Sequence, residues 1–202
     1  MRPNPLFASD DPDVVRQLIR DNPWAVLVSQ TDGDLVASHY PILLDDEAPE
    51  LTIVTHLGKP DDQIHRLTDG ELLVIVQGRH GCISPSWYRP DPRNVPTWNF
   101  SVAHCYGAPE ILDHEENLEV LTRLVERFER DVDEPAHLDR HDGAKIAAGT
   151  VGIRLPVSRF ICKRKLSQNK DPATRRQVID ALRKPGPYNH PQLAEEMEQA
   201  LD

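Results

Sequence analysis

The chain has 202 residues, 39% of them apolar, and a formal net charge of −10 at pH 7. That length suits one ordinary domain around a single core, and the apolar share excludes a largely disordered chain. The negative charge opposes nonspecific attraction to nucleic acid or anionic lipid. The longest apolar runs, at 24–28 and 72–76, fall far short of the ~18 residues a membrane helix needs.

No apolar stretch follows the single arginine near the start, so no secretory leader is expected and a cytoplasmic location is the default. Cys82, Cys105 and Cys162 are odd in number and far apart, which offers neither a disulfide framework nor a metal knuckle and suits small core residues. Charge is unevenly spread. Between Lys163 and Lys184 eight cations meet only two acids, Asp171 and Asp180, for a local net of +6.

Asp11-Pro12 followed by Val14, Val15, Leu18 and Ile19 predicts a capped amphipathic helix over 12–21, stopped by Pro23. Residues 24–30 and 35–44 are β-rich and joined by Thr31-Asp32-Gly33-Asp34, a hairpin signature. Pro41 inside the second run marks an edge, a bulge or a sheet border, because proline lacks a ladder donor. Residues 51–55 and 72–77 continue the sheet, with a short helix over 60–67 closed by Gly70.

Residues 81–100 show no clear period and lead into a strand over 102–111. Leu118, Leu121, Leu124, Val125 and Phe128 place an amphipathic helix over 115–130. A helical turn at 144–148 and one long bent strand over 150–164 come next. Helices over 172–182 and 192–201 close the chain. Hairpin-connected strands with helices inserted or appended indicate an α+β fold, a mainly antiparallel barrel, rather than a doubly wound sheet.

Five of the eleven aromatics lie between positions 80 and 106, in a proline-stiffened stretch. Its aromatic faces can flank a planar ring, while Ser84, Ser86, Thr97 and Asn99 can meet a polar rim; a structured loop covering one end of the barrel accounts for the same composition. Lys165-Leu166-Ser167-Gln168-Asn169-Lys170 reads either as a partner for a phosphate or an acceptor-rich ring, or as a solvated basic strand end. No metal site is expected. His39, His56 and His80 lack the short spacing of a zinc site, and His137 and His141 lack the glutamate of the zinc-protease motif. No Gly-x-Ser-x-Gly elbow points to a serine hydrolase.

His39-x-Pro41, Ile83-Ser84-Pro85-Ser86-Trp87-Tyr88, Val95-Pro96-Thr97-Trp98-Asn99 and Lys165-Leu166-Ser167-Gln168-Asn169 resemble, in order and spacing, the PaiB-type FMN-binding negative transcriptional regulators. The resemblance runs from Pro3-x-Pro5-x-Phe7 to about Leu182. It implies an FMN-binding split β-barrel with peripheral helices over 1–170 and a C-terminal helical extension over 171–202 packed on the same domain. It also implies a homodimer with cofactor sites at the subunit interface, and a role in repressing sporulation and degradative-enzyme genes. Within the family's phosphate-proximal stretch His56 and Gln63 match, and Lys59 stands where the family has arginine, which keeps the charge without the bidentate fork.

Carried over in this way, the phosphate lies near Lys59, Ser84, Ser86 and Lys165, and the ring near His39, Trp98, Asn99, Gln168 and Asn169. No catalytic residue is assigned. DNA or the transcription machinery enters as a partner by resemblance only, since no helix-turn-helix is evident. The alternatives are a flavin-dependent oxidoreductase, a haem protein using His39, His56, His80 or His104, and a flavin-free interaction protein.

Overall fold

The computed structural model describes residues 1, 4–88 and 94–201. Pro3, where the family resemblance opens, and residues 89–93 of the aromatic stretch lie outside the described residues.

A two-residue strand β1 (Ala8–Ser9) precedes helix α1 (Pro12–Asp21), which starts on the proline after Asp11 and buries Val15, Leu18 and Ile19 on one face. Pro23 cannot supply a backbone N–H, and strand β2 (Trp24–Thr31) follows it. Asp32 and Gly33, at φ of 52° and 90°, form the two-residue turn into β3 (Asp34–Pro41). The hairpin is in register from Trp24↔Pro41 to Thr31↔Asp34, so Pro41 sits at the strand's end, where no ladder bond is lost.

Strands β4 (Leu43–Leu44) and β5 (Thr52–Gly58) lead to the short helix α2 (Asp61–His65), which Arg66 ends in the left-handed conformation. Strand β6 (Leu72–Ile83) runs six residues beyond the predicted end and takes in Gly78 to Ile83. A 3-10 turn at Pro85–Trp87, strands β7 (Thr97–Gly107) and β8 (Glu110–Ile111), and helix α3 (His114–Glu129) come next. A reciprocal Asp113–Glu116 capping box opens α3.

Helix α4 (Arg140–Ala148) is longer than the turn predicted there, because Asp139 caps the N–H groups of His141 and Asp142. The single bent strand expected over 150–164 is instead two, β9 (Thr150–Pro156) and β10 (Arg159–Lys165), broken at Val157-Ser158. Pro156 ends the first, and the two strands pair in different sheets. Helices α5 (Pro172–Arg183), opened by Asp171 and Pro172, and α6 (Pro191–Gln199) complete the chain.

The elements make an α+β fold with antiparallel sheets and, among the described residues, six α-helices. No helix among them is long and apolar enough to cross a membrane. The chain divides into two compact units. The first comprises Met1–Asp11, Gln77–Ala103 and Ile161–Asp202; the second comprises Pro12–Val76 and His104–Phe160.

The first unit carries the strand run β1-β10-β7-β6 and both C-terminal helices. Its core is Ile83, Tyr88 and Leu166 packed with Val178, Ile179 and Leu182 of α5 and Leu193, Ala194 and Met197 of α6. Burial of these apolar side chains holds the extension to its own unit. The second unit carries β6-β2-β3 and a separate sheet β4-β5-β9-β8, over which α3 lays Val120 and Leu124 against Val54 and Leu112.

Gly107 is where this packing demands a glycine. A Cβ there would stand 2.2 Å from the backbone oxygen of Pro156, whereas one at Gly58 would meet open space. Gly107→Ala is expected to destabilise the protein by about 1–3 kcal/mol in urea unfolding, with Gly58→Ala changing it by no more than about 0.5 kcal/mol.

Candidate functional site

In the first unit, alternation along β7 turns Asn99 and Ser101 inward and leaves Trp98 53% exposed. The Trp98 indole stacks on the His80 imidazole with ring centres 5.9 Å apart and planes 22° from parallel, forming a flat platform. Strand β10 ends on Lys165, whose Nζ donates to Thr97 Oγ1 at 2.5 Å and to the Trp98 carbonyl at 2.6 Å. Burial first, and then the Lys163 ammonium, push the Lys165 pKa below the ordinary lysine value. An anion beside it would relieve both penalties.

The turn after Lys165 is built by the residues of the Ser-Gln-Asn motif. Ser167 is buried at φ 65°, in the left-handed region, and receives a hydrogen bond from the Asn99 amide at 2.9 Å. Gln168 accepts from the Leu166 N–H at 2.7 Å and donates to the Arg164 carbonyl at 2.6 Å, clamping the turn across itself. Asn99 is fully buried and also donates to Met197 Sδ, while Asn169 is exposed. Ser84 and Ser86 share a 2.8 Å hydroxyl hydrogen bond, and Ser84 caps the 3-10 turn by accepting from the Ser86 N–H. Seven candidate residues therefore fall in the first unit, and the structure brings Trp98, Asn99, Lys165 and Gln168 together around one turn.

The other four lie in the second unit. His39 on β3 is exposed and stacks on Trp24 with ring centres 6.2 Å apart. His56 on β5 is half-buried; burial lowers its pKa, so its ring is held neutral, and its buried Nδ1 has no hydrogen-bond partner among the described residues. Lys59 Nζ donates to the Ala148 carbonyl at 2.9 Å, and Gln63 is exposed on α2.

The donor chemistry of the first unit, an exposed aromatic platform next to a partly buried ammonium, fits a phosphate-bearing planar ligand. The second unit by itself offers an imidazole nitrogen without a hydrogen-bond partner among the described residues, and another ammonium.

A network absent from the sequence reading crosses the second unit. His65, 1% exposed, meets Ser29 Oγ through Nδ1 at 2.8 Å and Ser38 Oγ through Nε2 at 2.9 Å. Tyr40 lies edge-on to the His65 ring and donates to Asp61 Oδ2 at 2.6 Å. Burial and that hydrogen bond push the Tyr40 hydroxyl up to about 12. These residues are up to 36 positions apart, and no local spacing signals the contact.

The profile of the family described as "Putative FMN-binding domain" matches residues 1–159. The chain is 30% identical over 200 residues to the Protease synthase and sporulation protein PAI 2 of Bacillus subtilis (strain 168), covering 96% of this chain and 95% of that protein. Two solved structures share the fold. The FAD and Heme binding protein from Mycobacterium smegmatis has a TM-score of 0.60 at 18% identity, covering 78% of this chain and 73% of that one. The Flavocytochrome Anf3 from Azotobacter vinelandii has a TM-score of 0.61 at 16% identity, covering 81% and 72%.

Burial lowers the His65 pKa, partly offset by the Asp61 charge. The unfolded chain therefore binds this proton more readily than the native one, and the stability held by the neutral ring is lost as pH falls below about 6.5. Urea midpoints are expected to drop between about pH 7.5 and pH 5.5, and to drop less in His65→Gln.

Proposed function

The chain belongs to the FMN-binding-domain family, and from that premise we propose that it binds FMN on a split β-barrel and acts as a flavin-dependent regulator. One observation carries the site: the Lys165 ammonium, partly buried at the end of β10 and held on the Trp98 carbonyl, stands beside the exposed Trp98–His80 platform. A flavin supplies what both lack, an anionic phosphate and a flat ring with acceptors at its edge.

In this reading Lys165 neutralises phosphate charge, and Lys59 keeps its phosphate role through the family resemblance alone. Ser84 and Ser86 donate to phosphate oxygens. Trp98 and His80 present the ring-stacking face and Asn169 meets a polar edge, while His39 and His56 are assigned to the ring through the family resemblance alone. Asn99 and Gln168 hold the turn that aims Lys165, because their amides bond to Ser167, Leu166 and Arg164. Gln63 serves the phosphate side through the family match alone. When bound, FMN supplies electron and hydride transfer, and the protein contributes position and electrostatics.

The regulatory part is supported by the likeness to the PAI 2 protein, whose name joins protease synthesis to sporulation. Assembly as a cytoplasmic homodimer, and an effect on DNA or the transcription machinery, belong to the same reading. A haem reading draws on one feature of its own: burial disfavours the charged form of His56, and its Nδ1 has no hydrogen-bond partner among the described residues, which suits an imidazole that ligates iron. The names of both solved neighbours refer to haem or a cytochrome.

Lys165→Ala is expected to weaken FMN binding by about tenfold or more, equivalent to about 1.4 kcal/mol, read by quenching of tryptophan fluorescence. Lys165→Arg keeps the charge and is expected to retain most of the affinity. An affinity unchanged by Lys165→Ala removes the residue from the site.

A further inference from the structure

In the second unit a cavity of about 640 Å³ lies among α1, β4 and α3, and none of the FMN-candidate residues lines it. Its volume is ordinary for a small-molecule site. Its charge is not ordinary for this chain. In a protein of net charge −10, four arginines, Arg20, Arg123, Arg127 and Arg130, converge on one cavity.

Helix periodicity places Arg123, Arg127 and Arg130, at i, i+4 and i+7, on one face of the end of α3. The dipole of α3 favours cations in its last turn. It gives no reason for Arg20 of α1 to meet them, nor for all four to be arginine.

The acids at the cavity are largely engaged. Asp46 pairs with Arg20 at 2.8 Å, and Asp21 accepts from the Gln17 amide at 2.8 Å, leaving Glu126 on the rim. Each inner arginine is anchored by protein. Arg123 donates to the Leu44 carbonyl at 2.6 Å and stands 3.9 Å from Asp45; Arg127 donates to the Arg20 carbonyl at 3.1 Å. Among the described residues Arg127 makes that one bond, and Arg130 makes no hydrogen bond or ion pair. A guanidinium carries five N–H donors, so most of theirs are left for a ligand. The remaining wall is apolar, formed by Pro23 and Leu43 over the buried side chains of Ile42 and Leu44.

We propose that this cavity binds an amphipathic carboxylate, its anionic head held by the guanidinium groups of Arg127 and Arg130 and its apolar body laid against Pro23 and Leu43. Arginine forks match the two oxygens of a carboxylate, which a lysine does not do. The apolar wall selects for a ligand that carries more than the anion. This site stands apart from the FMN reading, and the two succeed or fail separately.

The test is isothermal titration of the full chain with octanoate below its micellar range, beside butanoate and inorganic phosphate. Saturable octanoate binding is expected, with butanoate and phosphate each weaker by about tenfold or more. The paired substitution Arg127→Ala with Arg130→Ala is expected to reduce octanoate affinity by about tenfold or more, while the circular dichroism spectrum and the FMN affinity stay as in the parent. Arg127→Lys tests the fork and is expected to fall between the two. The proposal is overturned if octanoate shows no saturable heat, or if the double substitution leaves its affinity unchanged. Phosphate binding as tightly as octanoate overturns the amphipathic ligand class.

Discussion

A buried hydrogen bond from the Asn99 amide to the Ser167 hydroxyl sets the geometry of the first unit. Ser167 adopts a left-handed conformation that a residue with a Cβ reaches only at a cost, so the turn persists because its surroundings hold it. Asn99 binds it from β7, and Gln168 closes the backbone on either side. Met197 of α6 covers the pair from outside. The consequence is positional: with the turn fixed, β10 stops at Lys165 and its ammonium rests on the carbonyl of Trp98. Loosening any member of this set displaces the charge that the flavin phosphate would need.

On the proposed reading, the C-terminal helices support the flavin site from beyond the family profile. The family profile ends at residue 159, yet Lys165 and its supporting turn lie beyond it. Glu196 of α6 accepts from Ser101 of β7 and lies 3.4 Å from Arg164 of β10, so the acidic last helix neutralises part of the basic segment that precedes it. Arg175 donates to the Ala200 carbonyl and Arg183 pairs with Glu198, which join α5 to α6. Three of the eight cations of that segment, Arg164, Arg175 and Arg183, are thus engaged by the last helix or its cap.

What the sequence reveals follows the range of the forces involved. Both ends of α1, the Asp32-Gly33 hairpin and the face of α3 depend on neighbours within four residues, and their signals stand in the chain itself. The break between β9 and β10 depends on pairing partners about a hundred residues away for β9, and an alternating apolar run through Pro156 carries no mark of a change of sheet. Helix α4 buries only Gly143 and Ala147, so its periodicity is faint and its Asp139 cap is the better sign. The same limit governs the site. Trp98 and Lys165 can be singled out by residue type, whereas the partners of the Asn99 amide, Ser167 and Met197, are tertiary facts. The Ser29–His65–Ser38 chain has no local signature, and the helical spacing of Arg123, Arg127 and Arg130 takes on meaning only with Arg20 at the same cavity.

Whether the chain holds FMN is read from its visible absorption spectrum after reconstitution. Purified protein is mixed with excess FMN, passed through a desalting column and scanned. Retained flavin bands at a fixed ratio to protein are expected, with tryptophan fluorescence quenched in parallel. Protein that leaves the column colourless contradicts FMN binding, and a Soret band in the protein as isolated assigns the fold to haem instead.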